Sequence, residues 1–273
     1  MTAAMAAAAG QAAPQPPHAP SPSPPPPPSP AAPATLAETL VAAMAREIED
    51  GAVVATGVAS PLAILAIAAA RATHAPRLTY IACVGALDPE IAALHPCSED
   101  LAYLDGRAGE VSIPELFDHA RRGRIDLMFF GAAEVDAAGD TNLSAAGPLE
   151  RPRVKFPGVA GAASLRRWVA RPIVVLGRQN RRNLVPKVQL ASTSDPGRPT
   201  RLLTDLGVFE LGGADGAALV ARHPAATEAA IAERTGFPYR TVHPLPVTPP
   251  PSPECLRAIR RIDAGGLRDR LVG

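Results

Sequence analysis

Short, wholly apolar runs alternate with segments of helical periodicity along most of this chain. In residues 36–50, Leu36, Leu40, Ala43, Met44 and Ile48 recur at helical spacing, with Thr35 placed to cap the first turn and Gly51 to end the helix. Residues 53–55 read as a buried strand, 56–61 as a tight glycine-containing loop, and 62–72 as a helix that is apolar nearly all round. Gly57, Ser60 and Pro61 break the long apolar run 53–70 near its middle, so it divides into strand and helix and does not cross a membrane. Further buried strands are predicted at 78–84, 125–130 and 173–176, with a helix at 113–121. Beyond them come a strand at 202–206, the run LGVFELGG closed by a Gly-Gly turn, and an apolar segment at 217–220. Helices at 227–235 and 254–262 flank a proline-rich connector. Strands alternating with helices over crossovers of this length predict an α/β fold, its sheet mostly parallel and covered by helices on both faces.

In such a sheet, ligands sit at the carboxyl ends of the strands. Three loops fall there: TGVASP at 56–61, Cys83-Val84-Gly85, and GAAEVDAAGD at 131–140. The first presents backbone N–H groups and two hydroxyls at a helix start, which suits either a structural turn or an anion site. The third opens a long glycine-rich segment in which Asp136, Asp140, Asn142 and Ser144 can bond nearby backbone or a ligand. His223 and His243 each precede a proline, a turn context.

Composition alters this picture in three places. No residue before Glu38 is charged, and prolines crowd the stretch from Pro14 to Pro33. Residues 1–34 are therefore expected to be a disordered Pro/Ala-rich tail, and residues 35–273 one domain. The tail lacks the basic start and continuous apolar core of a secretory signal, so the chain reads as cytoplasmic. The formal net charge of +1 gives no overall field toward nucleic acid or an anionic membrane. Positive charge is nevertheless concentrated between Glu150 and Asp195, a stretch with no acidic residue and ten cations including Arg153, Arg166, Arg171, Arg178, Arg181, Arg182 and Lys187. It suits a phosphorylated ligand, an acidic partner or plain solvent, and its scarcity of aromatics speaks against nucleic acid. The 3 cysteines, Cys83, Cys97 and Cys255, show no CxxC spacing and no histidine cluster, so neither a disulfide framework nor a metal site is expected. A P-loop, GxGxxG and HExxH are all lacking, which leaves ATP, dinucleotide and metal cofactors without support.

The ordered series TGVASPLAILAIAAARATHAPRLTYI, GAAEVDAAGDTN, FPGVAGAA, TDLGVFEL, HPAATEAAIAERTGF and RRIDAGGLRDR resembles the beta subunit of the glutaconate-type family I CoA-transferases. The run NLSAAGPLERPRVKFPGVAGA is also similar to beta subunits of the steroid ring-opening hydrolases of that superfamily. The resemblance implies a three-layer α/β/α fold, a separate alpha subunit as partner, an active site shared between the two, and coenzyme A as substrate, not as a resident cofactor. In the transferases a beta-subunit glutamate attacks the acyl-CoA thioester; this is covalent catalysis by a carboxylate.

Matching Gly85 to the family glycine puts Cys83 at the glutamate's place, either as a thiol nucleophile activated by a lowered pKa or as a packing cysteine. Gly57, Val58 and Gly85 are then expected to offer backbone amides to a developing oxyanion, with Gly131 and Asn142 completing the acyl-CoA site. Glu134 stands where the family often has glutamine. Three activities remain open: a transferase beta subunit, a hydrolase beta subunit whose carboxylate lies on the alpha subunit, and a non-catalytic acyl-CoA-binding subunit.

Overall fold

The computed structural model describes residues 32–272. Of the predicted tail, only its last three residues fall among these; residues 1–31 lie outside the described part. One 10-stranded sheet runs through the domain in the order β14-β13-β12-β11-β10-β5-β1-β2-β3-β4. Its centre is parallel: β1 (Val53–Thr56) lies between β2 (Thr79–Ile81) and β5 (Leu127–Gly131), and β10 (Arg171–Leu176) joins β5 to β11 (Thr200–Thr204). Antiparallel strands extend both edges. On one side are β3 (Ala86–Leu87) and β4 (Gly109–Glu110); on the other, β12 (Gly207–Gly213) and β13 (Gly216–Arg222), with β14 (Arg240–Thr241) parallel to β13 at the rim. Outside the sheet stand two small hairpins, β6 (Glu134–Val135) with β7 (Thr141–Asn142) and β8 (Ala145–Ala146) with β9 (Val154–Lys155).

The central strands are apolar on both sides because both sides are covered. Val54, Leu127, Phe129 and Ile173 face a core built with α1 (Leu36–Arg46), α2 (Pro61–Arg71) and α6 (Pro253–Ile262). Alternate residues Ala55, Met128 and Phe130 face α3 (Ile113–Arg121) and α4 (Ala162–Trp168). Val174, Leu202 and Phe209 pack toward α5 (Glu228–Arg234). The outcome is the expected three-layer α/β/α arrangement.

Boundaries differ from expectation where turns intervene. The first helix stops at Arg46, capped by Glu47, and Gly51 occupies the following turn at φ +83°. The predicted strand 78–84 is shorter because Ala82 to Gly85 turn back into the β2–β3 hairpin, with Gly85 at φ +92°.

Four buried charged side chains tie the chain's ends together. Glu38, on α1, accepts from Arg260 Nε at 2.7 Å and from Arg268 Nη2 at 2.9 Å. Arg268, in α7 (Leu267–Leu271), also bonds Asp263 Oδ2 at 2.9 Å, and both Asp263 oxygens accept backbone N–H groups of α7. Burial alone would raise the Glu38 pKa, but the two guanidinium groups and the Thr35 N–H hold it below the usual carboxylate range.

Two outcomes follow for stability. Glu38→Ala removes the carboxylate shared by two buried guanidinium groups and is expected to cost about 3–5 kcal/mol in denaturant unfolding. His223 is fully buried between Thr248 Oγ1 (2.8 Å) and the Thr204 carbonyl (2.9 Å), and burial lowers its pKa from 6.5 to about 4. Between those values the unfolded chain holds more protons than the folded one. Stability is therefore expected to fall as pH drops through this window, by up to about 1.4 kcal/mol per pH unit. Denaturant titrations of wild type and His223→Gln from neutral pH to near 4.5 test this; equal slopes would refute it.

Candidate active site

The carboxyl ends of β2, β1, β5 and β10 lie side by side, and their loops form a continuous edge. Above β1 and β5 is a cavity of about 280 Å³ lined by residues 57–60 on one wall, Phe130 to Ala133 on the floor, and Pro157 to Ala162 on the other wall. Almost every lining group is apolar. The Pro157–Ala162 wall is held close: a Cβ on Gly161 would meet Phe117 Cζ at 2.4 Å, so glycine is what lets the wall approach α3.

Among the expected site residues, Gly57, Val58 and Gly131 line this cavity. The N–H groups of Gly57 and Val58 have no hydrogen-bond partner among the described residues and are available to an oxyanion. Neither hydroxyl of the TGVASP loop is free: Thr56 Oγ1 pairs with Tyr80 Oη at 2.8 Å, and Ser60 Oγ donates to the Val58 carbonyl at 3.0 Å. Gly85 is not in the lining, and its N–H donates to the Ala82 carbonyl at 2.9 Å. Asn142 is fully buried and fully used, donating to Glu134 Oε2 (2.8 Å) and the Ala145 carbonyl (2.7 Å) while accepting from Ser144 N (3.0 Å). Asp136 likewise closes the β6–β7 turn through Ala138 N and meets Lys187 at 3.0 Å. The polar groups of this segment thus serve its own backbone, and the ligand-facing surface is left apolar.

Cys83 is half-buried at the end of β2, and its Sγ donates to the Ser98 carbonyl at 3.1 Å. Burial pushes its pKa from 9.0 up to about 11, and the neighbouring Glu99 charge adds to the shift. The lowered pKa required for a thiolate nucleophile is therefore not present: the groups around Cys83 favour the neutral thiol.

Two residues of the site carry no motif in the sequence. Ser98 is fully buried and joins three segments: its carbonyl takes the Cys83 thiol, and its Oγ accepts from Ser60 N (3.1 Å) and lies 3.3 Å from the Gly57 carbonyl. The same hydroxyl is 2.9 Å from Glu99 Oε2, which Cys97 Sγ also approaches at 3.1 Å. Burial would raise the Glu99 pKa, but these hydrogen bonds and that from Ala59 N–H keep it below the usual range. The signal that points to both is length. No element is predicted between Gly85 and Ile113, and a connection so long inside a compact domain is usually functional.

Among the described residues, no cluster of His, Cys, Asp or Glu can hold a metal, and no helix is long and apolar enough to cross a membrane.

The chain belongs to the Coenzyme A transferase family, which it matches over residues 37–234, and its relatives place it among beta-type subunits. It is 28% identical to the B subunit of the 3-oxoadipate CoA-transferase of Pseudomonas knackmussii, covering 83% of this chain and 92% of that one. It is 32% identical to the cholesterol ring-cleaving hydrolase IpdB subunit of Rhodococcus jostii over 60% of this chain and 70% of that one. Among solved structures, the decarboxylase AibA/AibB superposes with a TM-score of 0.85 at 66% identity, over 88% of this chain and 99% of that one. Solved variants of that decarboxylase carry valine, asparagine, alanine or serine in place of one cysteine. The glutaconate CoA-transferase of Acidaminococcus fermentans shares the fold, with a TM-score of 0.75 at 21% identity over 85% of this chain and 96% of that one.

Removing the Ser98 hydroxyl leaves Ser60 N–H unpaired next to the cavity. Ser98→Ala is expected to cost about 1–3 kcal/mol of stability. It is also expected to speed amide hydrogen exchange in residues 57–60 selectively; unchanged exchange there would show that the loop holds itself.

Proposed function

We propose that this chain is the beta-type subunit of a two-subunit decarboxylase acting on carboxylated acyl-CoA thioesters, with the neutral Cys83 thiol as proton donor. The observation that carries this reading is the state of Cys83: its thiol, which the resemblance sets against the transferases' glutamate nucleophile, is kept protonated by burial. The 66% identity to AibA/AibB over nearly that whole chain, with its replaced cysteine, supports the same reaction class.

Decarboxylation of such a thioester can proceed without a nucleophile. It needs an electron sink, a way to stabilise the charge that develops there, and a proton for the carbon that loses CO₂. The thioester carbonyl is the sink. As the C–CO₂ bond breaks, its electron pair moves into the thioester, directly when the carboxylate sits on C2 or through the conjugated C2–C3 double bond when it sits on C4. The resulting enolate oxygen is received by the N–H groups of Gly57 and Val58. The apolar cavity favours neutral CO₂ over a solvated carboxylate. Cys83 S–H then protonates carbon, and the thiolate, disfavoured by burial, takes a proton back from solvent. The partner subunit completes the cleft.

The test uses the complex co-purified through a tag on this chain, incubated with glutaconyl-CoA and 2-carboxyacyl-CoA (malonyl-type) thioesters in deuterated water. Release of CO₂ with one solvent deuteron on carbon is expected. Cys83→Ala is expected to lower kcat about a hundredfold or more, in the range of lost general-acid catalysis. Activity should hold through neutral pH and decline as pH rises toward about 11, where Cys83 loses its proton. CoA exchange onto a free acid without CO₂ would return the reading to a transferase, and free CoA alone would make it a hydrolase.

A further inference from the structure

The run His95-Pro96-Cys97-Ser98-Glu99-Asp100 forms a turn that is hydrogen-bonded both to Cys83 and to the Gly57–Ser60 loop. We propose that Glu99 is a positioning residue for the chemistry at Cys83. Its one carboxylate fixes the Gly57–Ser60 loop on one side and sets an unneutralised negative charge beside the thiol on the other. The inference rests on Cys83 as the proton donor.

The first half is a matter of hydrogen bonds. Glu99 Oε2 accepts from Ser98 Oγ at 2.9 Å and from Cys97 Sγ at 3.1 Å, and the Ala59 N–H also donates to this carboxylate. The next N–H along, that of Ser60, donates to Ser98 Oγ at 3.1 Å. Two successive N–H groups of the loop are thus held by two successive residues of the turn. Ala59 needs holding, because its φ of +53° lies in the left-handed region that alanine rarely adopts. The two residues just before it, Gly57 and Val58, are those whose N–H groups are left to meet developing charge.

The second half is a matter of what does not answer the charge. Among the described residues Glu99 has no ion-pair partner; the groups that hold its pKa down against burial are all hydrogen-bond donors. The other groups near Cys83 are neutral or already used. Tyr80 and Tyr103 keep their protons, their pKa values raised by burial. Arg71 is bound to Asp88, Cys97 is spent on Glu99 itself, and Asp100 accepts from Ala102 N at 2.9 Å and lies 3.3 Å from His95 Nδ1. Beside a cysteine that attacks as thiolate, a fold supplies a cation or a helix N-terminus. Here burial and then an anion oppose the thiolate. The donors around Glu99 keep a proton off the carboxylate, and the carboxylate keeps one on Cys83.

The test follows Cys83 itself in the purified complex, by ultraviolet absorbance of its thiolate against pH with the Cys83→Ala complex subtracted. Glu99→Gln keeps an oxygen for the Ala59 N–H and removes the charge. Its titration midpoint is expected to fall by about half a pH unit or more below that of wild type, and the alkaline decline of kcat to move with it. Glu99→Asp retains the charge and is expected to titrate like wild type, whereas a merely structural role makes Asp and Gln alike. If Glu99→Gln does not co-purify with its partner, Glu99→Ala also removes the charge and carries the same titration. An unchanged midpoint in the uncharged variant, or a Glu99→Asp midpoint that falls with it, overturns the proposal. A midpoint that moves as expected in a complex that releases no CO₂ overturns the decarboxylase reading alone.

Discussion

Charges taken out of water must be paired, and in this domain that constraint joins the beginning of the described chain to its end. Glu38, Arg260, Asp263 and Arg268 are each almost wholly buried, two acids against two bases. Satisfying them requires α1, α6 and α7 to meet at one place above α2. The helix α2 begins at the Gly57–Ser60 loop, so the layer fastened by this network also carries one wall of the cavity. The same clamp brings α7 against the strand ends. The Leu271 carbonyl approaches Gly177 so closely that a Cβ there would lie 2.3 Å from it, and Leu271 shares a small cavity with Ala59 and Ser60.

Within that frame the polar residues divide into two groups. Asp136, Asp140, Asn142, Ser144 and Arg166 satisfy the backbone of the two hairpins and each other. Because their bonds are made locally, the cavity beside them is apolar, with only unpartnered backbone N–H groups to meet developing charge. Ser98 makes the corresponding connection on the other side, coupling the Cys83 turn to the Gly57–Ser60 loop through one residue. A neutral thiol, free amides and apolar walls suit chemistry that moves a proton and an electron pair better than chemistry that needs a charged nucleophile.

Much of this is legible in one dimension. Runs such as Leu127 to Phe130 are apolar without alternation, which marks strands covered on both faces. Thr35, Ser112 and Ser252 stand at helix starts and cap them by side-chain bonds. Gly57, Val58, Gly131 and Cys83 fall at strand ends by the same pattern. Less legible are residues whose meaning depends on a partner far along the chain. Asn142 looks like a ligand-binding side chain until its neighbours are known, and Ser98 looks like an ordinary loop residue until Gly57 and Ser60 are seen beside it.

The sequence by itself determined the α/β plan, the order of the motifs and the place of Cys83 just beyond a strand end, because these follow from periodicity and local spacing. Tertiary structure decided the protonation state of that cysteine, since its pKa reflects how much water the fold removes and which charges it brings near. It also decided which arginines of one basic stretch are free. Arg171 and Arg178 are indistinguishable in composition, yet the first meets Glu47 and the second faces an open cavity. A charge that is paired holds a fold together, and one left unpaired beside a cavity is available to a ligand; only the folded arrangement makes that difference.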